Sequence, residues 1–510
     1  MVTEHLDVLI IGAGLSGVGA AYHLMKHCPG KRYGILEGRA ALGGTWDLFR
    51  YPGIRSDSDM YTLGYNFKPW SDPQAIADGP SIRRYIDETA RENGIDQHIR
   101  YQHKVLKADW CSASARWTLQ VQCAEEPTPR TFSCQQLLMC TGYYRYEAGY
   151  TPQFKGRELF KGTVIHPQLW PQECDYSGKE VLVIGSGATA VTLVPALTEQ
   201  AKHVTMLQRS PSYVASLPRE DRISNFLRRW LPEKLVYRLA RGRNVAIQMV
   251  FYKLSKRFPN FVRKLLLGQA KRQLGADFDM RHFSPNYKPW DQRVCAVPDG
   301  DLFKVLREGK ASVVTEHIDS FTEQGIRLAS GQELKADIIV TATGLDLVMF
   351  GGIAVAVDGQ PFDVAQSMGY RGIMLRDLPN MAVVFGYTNA SWTLKADLSS
   401  EYFCRLINHM DAIGMRQCTP RNSGGEVADA PFLDLASGYI QRAAGKLPKQ
   451  GDRAPWKLYQ NYLLDLALLR FGKVEDGYLI FSSPKVSEEA EAQVLAPRAL
   501  QPHRHPNGLL

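Results

Sequence analysis

Two glycine-rich turns constrain this chain more than anything else in it. Asp7-Val-Leu-Ile-Ile11 is a short β-branched apolar run that leads into Gly12-Ala-Gly-Leu-Ser-Gly17, and Val18 to Lys26 then has the pattern of a helix. Much later, Glu180-Val-Leu-Val-Ile184 leads into Gly185-Ser-Gly-Ala-Thr-Ala190. Strand, tight turn and helix in that order seat a pyrophosphate on a helix N-terminus. Gly12 permits the turn, Gly14 lets the backbone approach the phosphates and Gly17 allows helix and sheet to pack closely; Gly185, Gly187 and Ala190 take the same positions in the second turn. Two such turns predict an α/β chain with two dinucleotide-binding, Rossmann-like domains.

The residues closing the second strand of each unit separate the two ligands. Tyr33-Gly-Ile-Leu-Glu37 ends in an acid suited to ribose hydroxyls. In His203-Val-Thr-Met-Leu-Gln-Arg-Ser210 the corresponding place holds neutral Gln208, followed by Arg209 and Ser210. A carboxylate there would repel a 2′-phosphate, whereas a cation and a hydroxyl attract one, so the second unit is read as selecting NADPH. The plainer reading of Arg209 is a surface charge at a strand end.

At 510 residues the chain exceeds what one core supports and suits two or three domains. Its nine cysteines are scattered without a Cys-x-x-Cys pair, so neither a metal site nor a redox dithiol is expected, and a reducing cytoplasm fits. The first residues lack a basic then apolar leader, and no uncharged run is long enough to span a bilayer.

Between the turns lie two further stretches. Gly43-Gly-Thr-Trp-Asp-Leu-Phe-Arg-Tyr-Pro-Gly-Ile-Arg-Ser-Asp-Ser-Asp-Met-Tyr61 is dense in glycine, proline and polar residues and reads as a long site-forming loop. Phe160-Lys-Gly-Thr-Val-Ile-His-Pro-Gln-Leu-Trp-Pro171 places Phe160, Gly162, His166, Trp170 and Pro171 in a Phe-x-Gly-x-x-x-His-x-x-x-Trp-Pro pattern. Together with both turns, that pattern resembles the fingerprint of flavin-dependent type I Baeyer-Villiger monooxygenases. The loop from Thr45 to Gly64 is most similar to the ethionamide-activating subgroup of that family.

The resemblance covers nearly the whole chain to about Phe481 and implies FAD at the first turn and NADPH at the second. It implies a discontinuous FAD domain, residues 1–145 and 345–485, around an NADPH domain at 146–344. It places Thr45, Trp46, Asp47 and Leu48 on the flavin, Asp57 near its reactive edge and the backbone of Val105 against adenine. Ser16, Arg55 and Ser56 join the cofactor contacts on the first side, and Ser186, Ala188 and Thr189 those on the second. Within Asn286-Tyr-Lys-Pro-Trp-Asp-Gln-Arg-Val-Cys295, Arg293 stands where the family's catalytic arginine would. On residue type alone Trp46 is a core aromatic, Asp57 a loop cap and Arg293 a surface charge.

The implied activity is NADPH- and O2-dependent conversion of ketones to esters or lactones through a C4a-peroxyflavin, with Asp57 orienting Arg293. Sulfoxidation of thioethers or thioamides is implied alongside; the alternative is a flavin monooxygenase acting mainly on sulfur or nitrogen. A disulfide reductase shares both turns but needs a dithiol beside the flavin, and Gly43–Tyr61 holds no cysteine. A nucleotide sensor without turnover is the third reading.

Strands are expected at 103–110, 117–122, 137–142, 336–344 and 378–386, and helices at Leu398–Asp411 and Leu458–Leu469. The net charge of +9 is uneven: Arg222 to Gly275 carries 14 Lys and Arg against Glu233 alone, leaving −4 elsewhere. Basic and apolar residues alternate there at helical spacing, so a helical insertion is expected at about 213–280. One reading has it packed on the NADPH domain with its charges solvated, the other has it touching anionic membrane. No nucleic-acid module accompanies the charge. From about residue 486 the composition predicts a mobile tail.

Overall fold

The computed structural model describes residues 3–124, 126–422, 427–433 and 435–484, and the expected mobile tail lies outside them. Each glycine-rich turn stands at the carboxyl end of a central strand, in two separate sheets.

In the first sheet five strands run parallel, ordered Ile99–Arg100, Tyr33–Leu36, Glu4–Ile11, Arg130–Met139, Met381–Val383. Val8 to Ile11 are buried on both faces, which is why that strand is a continuous apolar run rather than an alternating one. The strand Arg130–Met139 changes neighbour along its length. Its first half pairs antiparallel with Arg116–Cys123, and its last three residues pair with Met381–Val383. Arg116–Cys123 continues the meander to His103–Cys111, where Trp110 and Trp117 face each other in register with ring centroids 5.6 Å apart. Ala354–Val357 then adds to His103–Cys111. Strands from both ends of the chain therefore complete one sheet.

The second sheet is wholly parallel, ordered Ala311–Thr315, His203–Gln208, Glu180–Ile184, Ile338–Thr341, Thr163–Ile165. The chain leaves the first sheet after Met139 and returns after Thr341, and the two crossing segments lie side by side. Arg145 N–H donates to Asp346 O at 2.9 Å, Val348 N–H to Tyr143 O at 3.0 Å and Tyr150 N–H to Gly344 O at 3.0 Å.

The insertion contains helices Arg222–Leu227, Glu233–Arg257 and Pro259–Leu274, between strands Val214–Leu217 and Cys295–Pro298 that pair with each other. Its apolar residues do not all pack on the second sheet's core, as the first reading expected. Ala270 and Leu274 of the last helix join the core of the second sheet. The long helix lies across the first domain: Tyr237 and Ala240 enter that core, and Tyr237 OH donates to Tyr65 O at 2.8 Å. Arg241 donates to Tyr61 O at 2.8 Å and to Gly64 O at 2.7 Å. The insertion thus bridges the domains. No helix among the described residues is long and apolar enough to cross a membrane.

Two helix boundaries differ from the sequence expectation. The helix expected from Leu398 begins at Trp392 and runs to Ala412. Its first two turns look polar, yet Thr393, Lys395 and Asp397 are buried and paired across elements, with Leu63 O, with Asp465 at 2.9 Å and with Arg241 at 3.4 Å. Of Leu458–Leu469, only Tyr462–Leu466 is α-helical, followed by a π-helical turn Ala467–Phe471.

Candidate active site

A cleft of about 990 Å³ runs between the carboxyl ends of the two sheets, and both glycine-rich turns line it. This is where open α/β sheets bind ligands. Gly12 has φ +102°, and a Cβ there would stand 2.7 Å from Cys140 O. Gly185 has φ +140°, with a Cβ position 2.4 Å from Ala342 O. A side chain at Gly17 would meet Gly12 O at 1.9 Å, so helix and turn are in contact there. The helices that follow, Leu15–His27 and Ala188–Leu197, start from Gly14 and Gly187 with no side-chain cap. Their first N–H groups are therefore open toward the cleft, and the residues present fit a dinucleotide pyrophosphate at each turn.

Glu37 accepts from Ala13 N–H at 2.8 Å and Arg39 N–H at 2.9 Å, which fixes its carboxylate at the cleft wall beside the first turn. Burial pushes its pKa up, and those two N–H donors oppose the rise. Ser16 lines the cleft and accepts from Trp392 Nε1–H at 2.8 Å. Thr45, Trp46, Arg55, Ser56, Asp57 and Val105 line it too. Asp47 and Leu48, grouped with Thr45 in the sequence, stand behind this wall. The Asp47 carboxylate is enclosed by Arg39 at 2.5 Å, Arg83 at 3.0 Å and Arg50 at 3.4 Å, while Leu48 packs on the core of the second sheet. Arg55 is paired with Asp301 at 2.5 Å, and the Ser56 hydroxyl donates to Ser58 O at 2.8 Å.

Asp57 and Arg293 meet in the same cleft. Asp57 Oδ2 is 3.2 Å from Arg293 Nη2, with side chains 27% and 36% exposed. The Asp57 charge holds the guanidinium pKa well above its already high range, so Arg293 is a permanent cation. Tyr143, Tyr144 and Tyr439 surround the pair, and burial raises the pKa of all three phenols. Tyr143 and Tyr144 hydroxyls are 3.0 Å apart, and the Tyr143 ring stacks on Trp392 with centroids 5.2 Å apart. The sequence reading did not single out these tyrosines. Their signal was position: Tyr143 and Tyr144 directly follow the Thr-Gly turn that ends a central strand.

On the second side Ser186, Gly187, Ala188, Thr189, Arg209 and Ser210 line the cleft. Arg209 is exposed and forms no ion pair among the described residues. Gln208 is buried away from the cleft, donating to His282 O at 2.7 Å and Thr315 Oγ1 at 2.8 Å; Ala190 is likewise buried in the second core. The place where an acid would repel a 2′-phosphate is thus filled by a neutral side chain that braces the sheet edge.

The Phe160–Pro171 stretch does not touch the main cleft. Phe160 packs beside Phe321, and a Cβ at Gly162 would stand 2.3 Å from Asp337 O. His166 and Gln168 reach the crossing segments: His166 Nε2 lies 3.2 Å from Gly344 O, and Gln168 Nε2–H donates to Arg145 O at 2.7 Å. Trp170 packs edge-on against Tyr176 with centroids 6.3 Å apart, and Pro171 is exposed. The motif therefore clasps the two segments that join the domains.

A second cavity of about 260 Å³ shares Tyr387 with the main cleft. Phe385, Phe432, Leu458 and Leu468 form much of its wall, and a buried Lys395–Asp465 pair lies at its base.

Residues 73–350 match the flavin-binding monooxygenase-like family, and residues 10–73 match the NAD(P)-binding Rossmann-like domain. The chain is 55% identical to the FAD-containing monooxygenase EthA of Mycobacterium tuberculosis (strain ATCC 25618 / H37Rv), over 94% of this chain and 98% of that protein. The fold is similar to an oxidised steroid monooxygenase bound to NADP, with a TM-score of 0.73, 20% identity and coverage of 94% and 100% of the two chains. It is also similar to cyclohexanone monooxygenase, with a TM-score of 0.72, 18% identity and the same coverage.

Proposed function

From the premise that the chain belongs to the flavin-binding monooxygenase-like family, we propose that it is an FAD-containing, NADPH-dependent monooxygenase that inserts oxygen beside the carbonyl of a ketone. In this reading FAD occupies residues 1–145 and 345–485, and NADPH the domain at 146–344. The reaction consumes a ketone, O2, NADPH and a proton and yields an ester or lactone, NADP+ and water. One oxygen atom enters the carbon–carbon bond and the other leaves as water. Bound FAD supplies the electron transfer and dioxygen activation.

The observation that carries the proposal is the Asp57–Arg293 pair at 3.2 Å, in the cleft between the two uncapped helix N-termini. Attack of an anionic oxygen on a ketone carbonyl builds negative charge on the carbonyl oxygen. A fixed guanidinium is the donor such a step needs. Asp57 keeps Arg293 charged and aimed, and it contributes a compensating charge when no anion is present. The neutral phenols of Tyr143 and Tyr439 add donors beside it without a second anion. Gly12, Gly14 and Glu37 would hold the FAD pyrophosphate and ribose, and Gly187 with Arg209 and Ser210 would hold NADPH.

The apolar cavity beside Tyr387 has the volume and lining for a small hydrophobic substrate. The resemblance of the Thr45–Gly64 loop to the ethionamide-activating subgroup favours sulfur oxidation as a second activity at the same site. A soft thioether attacks oxygen directly and builds no carbonyl oxyanion, so it makes less use of Arg293. Product identification with a simple ketone and a thioether, for the wild type and Arg293→Ala, tests both readings. Loss of ester with retained sulfoxide supports the assignment; ester formation that survives the substitution defeats it.

A further inference from the structure

The insertion's long helix, Glu233–Arg257, has two unlike faces. Toward the protein it presents Tyr237, Arg241, Asn244 and Gln248. Asn244 Nδ2–H donates to Asp59 Oδ1 at 2.9 Å and Gln248 Nε2–H to Asp59 Oδ2 at 3.1 Å, two residues beyond Asp57. On the opposite face, at 100° per residue, Leu235, Leu239, Ile247, Val250 and Leu254 fall within one stripe, and all five are exposed. Nothing in the described chain covers them.

The segments on either side of it carry the same character. Trp230 is 76% exposed and Phe261 56% exposed, with Phe226 and Leu265 also in solvent. An exposed apolar stripe on one face of a helix in a folded domain, with further exposed aromatic side chains at either end of that helix, marks an interaction site. Its setting is basic: Lys253 and Arg257 lie on the stripe, Arg238 and Lys256 flank it, and Lys264 is exposed on the next helix. From Arg222 to Gly275 the only acid is Glu233.

We propose that this face docks the protein on an anionic membrane surface, with Trp230, Phe261 and the Ile247 stripe entering the headgroup boundary and the lysines and arginines meeting lipid phosphates. Aliphatic and aromatic tips framed by long cationic side chains are the composition of a helix lying in the interface plane. A nucleic acid would match the charge but leave the aliphatic stripe in water. The inference rests on the surface alone and does not depend on which substrate is oxidised. Its consequence for the enzyme is placement, because the same helix holds on its inner side the segment that follows Asp57.

Flotation of the full-length, FAD-loaded protein with vesicles tests it. Vesicles of phosphatidylcholine with about one-third phosphatidylglycerol should carry the protein upward, pure phosphatidylcholine should not, and high salt should release it. Reversing three exposed charges, Lys253→Glu with Arg257→Glu and Lys264→Glu, should weaken binding on the order of a hundredfold or more. Trp230→Ser with Phe261→Ser should weaken it while leaving the charges in place. All five side chains are exposed or mainly in solvent, so retained flavin absorbance reports that each variant is folded. No flotation with anionic vesicles, equal flotation with neutral ones, or no change on charge reversal overturns the proposal. So does light scattering in which the wild type is a dimer and Trp230→Ser with Phe261→Ser a monomer, since the face would then be covered by a second copy.

Discussion

Asp57 and Arg293 are far apart in the chain, yet their charged groups stand 3.2 Å apart. Asp57 lies on the long loop of the first domain, and Arg293 lies just before the strand Cys295–Pro298 that closes the insertion. The ion pair therefore ties the first glycine-turn unit to the segment that closes the insertion.

Removal of the guanidinium should separate the two halves of catalysis. Arg293→Ala is expected to retain flavin reduction by NADPH, because hydride transfer needs no oxyanion donor, and to lose ester formation by on the order of a hundredfold or more. Asp57→Asn should keep the arginine but loosen its aim, giving an intermediate loss. Stopped-flow reduction rates alongside product yields provide the check; an Arg293→Ala enzyme that is equally slow in reduction would show a binding defect instead.

Arg209 tests the cofactor choice. It is exposed at the cleft edge with no ion-pair partner among the described residues, and Gln208 beneath it is occupied with His282 O and Thr315. Arg209→Ala should raise KM for NADPH and leave that for NADH nearly unchanged, shrinking the preference by roughly tenfold, the loss of one charge-assisted contact of about 1.5 kcal/mol or more. An unchanged ratio of kcat/KM values for the two nucleotides would remove Arg209 from phosphate recognition.

The buried pair below the second cavity offers a stability test. Lys395 Nζ stands 2.9 Å from Asp465 Oδ2, and Tyr387 OH donates to the same oxygen at 2.7 Å. Burial pushes the lysine pKa down, and the carboxylate opposes that shift. Asp465→Ala leaves an unpaired buried ammonium and should cost about 3–5 kcal/mol, whereas Lys395→Met with Asp465→Leu should recover most of it. Tyr387→Phe should cost only about 1 kcal/mol. Urea midpoints rank the three; a double variant less stable than Asp465→Ala would show that the pair is stabilising in itself.

What the sequence disclosed, and what it withheld, follows from how local each signal is. Both glycine turns, the acid at Glu37 and the neutral Gln208 are read within a few residues of a strand end, and the structure has them at strand ends. The start of the helix at Trp392 was hidden because Thr393, Lys395 and Asp397 find their partners far away in the chain. The same holds for Asp47, whose sequence neighbourhood suggests a ligand contact but whose carboxylate is enclosed by three arginines. Tyr143 and Tyr439 come from distant segments, so no single window could show that they converge on Arg293, or that Trp392 stacks on Tyr143. The long insertion helix was legible as amphipathic, but its packing on the first domain depends on Tyr65 and Gly64 carbonyls that carry no sequence pattern.

His166 makes the clasp between the domains sensitive to acid. Its Nδ1 accepts from Gln168 N–H at 3.2 Å, so in the tautomer that this bond requires Nε2–H donates to Gly344 O at 3.2 Å, on the returning segment. The neutral ring thereby satisfies both nitrogens, and protonation would set a new N–H against the Gln168 N–H. Burial lowers the His166 pKa from its ordinary 6.5, with the Gly344 carbonyl opposing the shift. Because the folded value lies below the unfolded one, the unfolded chain binds the proton first as pH falls. The histidine is thus without effect on stability above about pH 6.5 and becomes destabilising below it, until pH falls through the folded value. His166→Gln, which can keep the donor to Gly344 but cannot titrate, should flatten the decline in thermal midpoint between neutral and mildly acidic buffer. Melting curves of wild type and variant at both ends of that window decide it. Parallel declines would mean that other groups govern the acid response, and a steeper decline in the variant would reverse the sign assigned to His166.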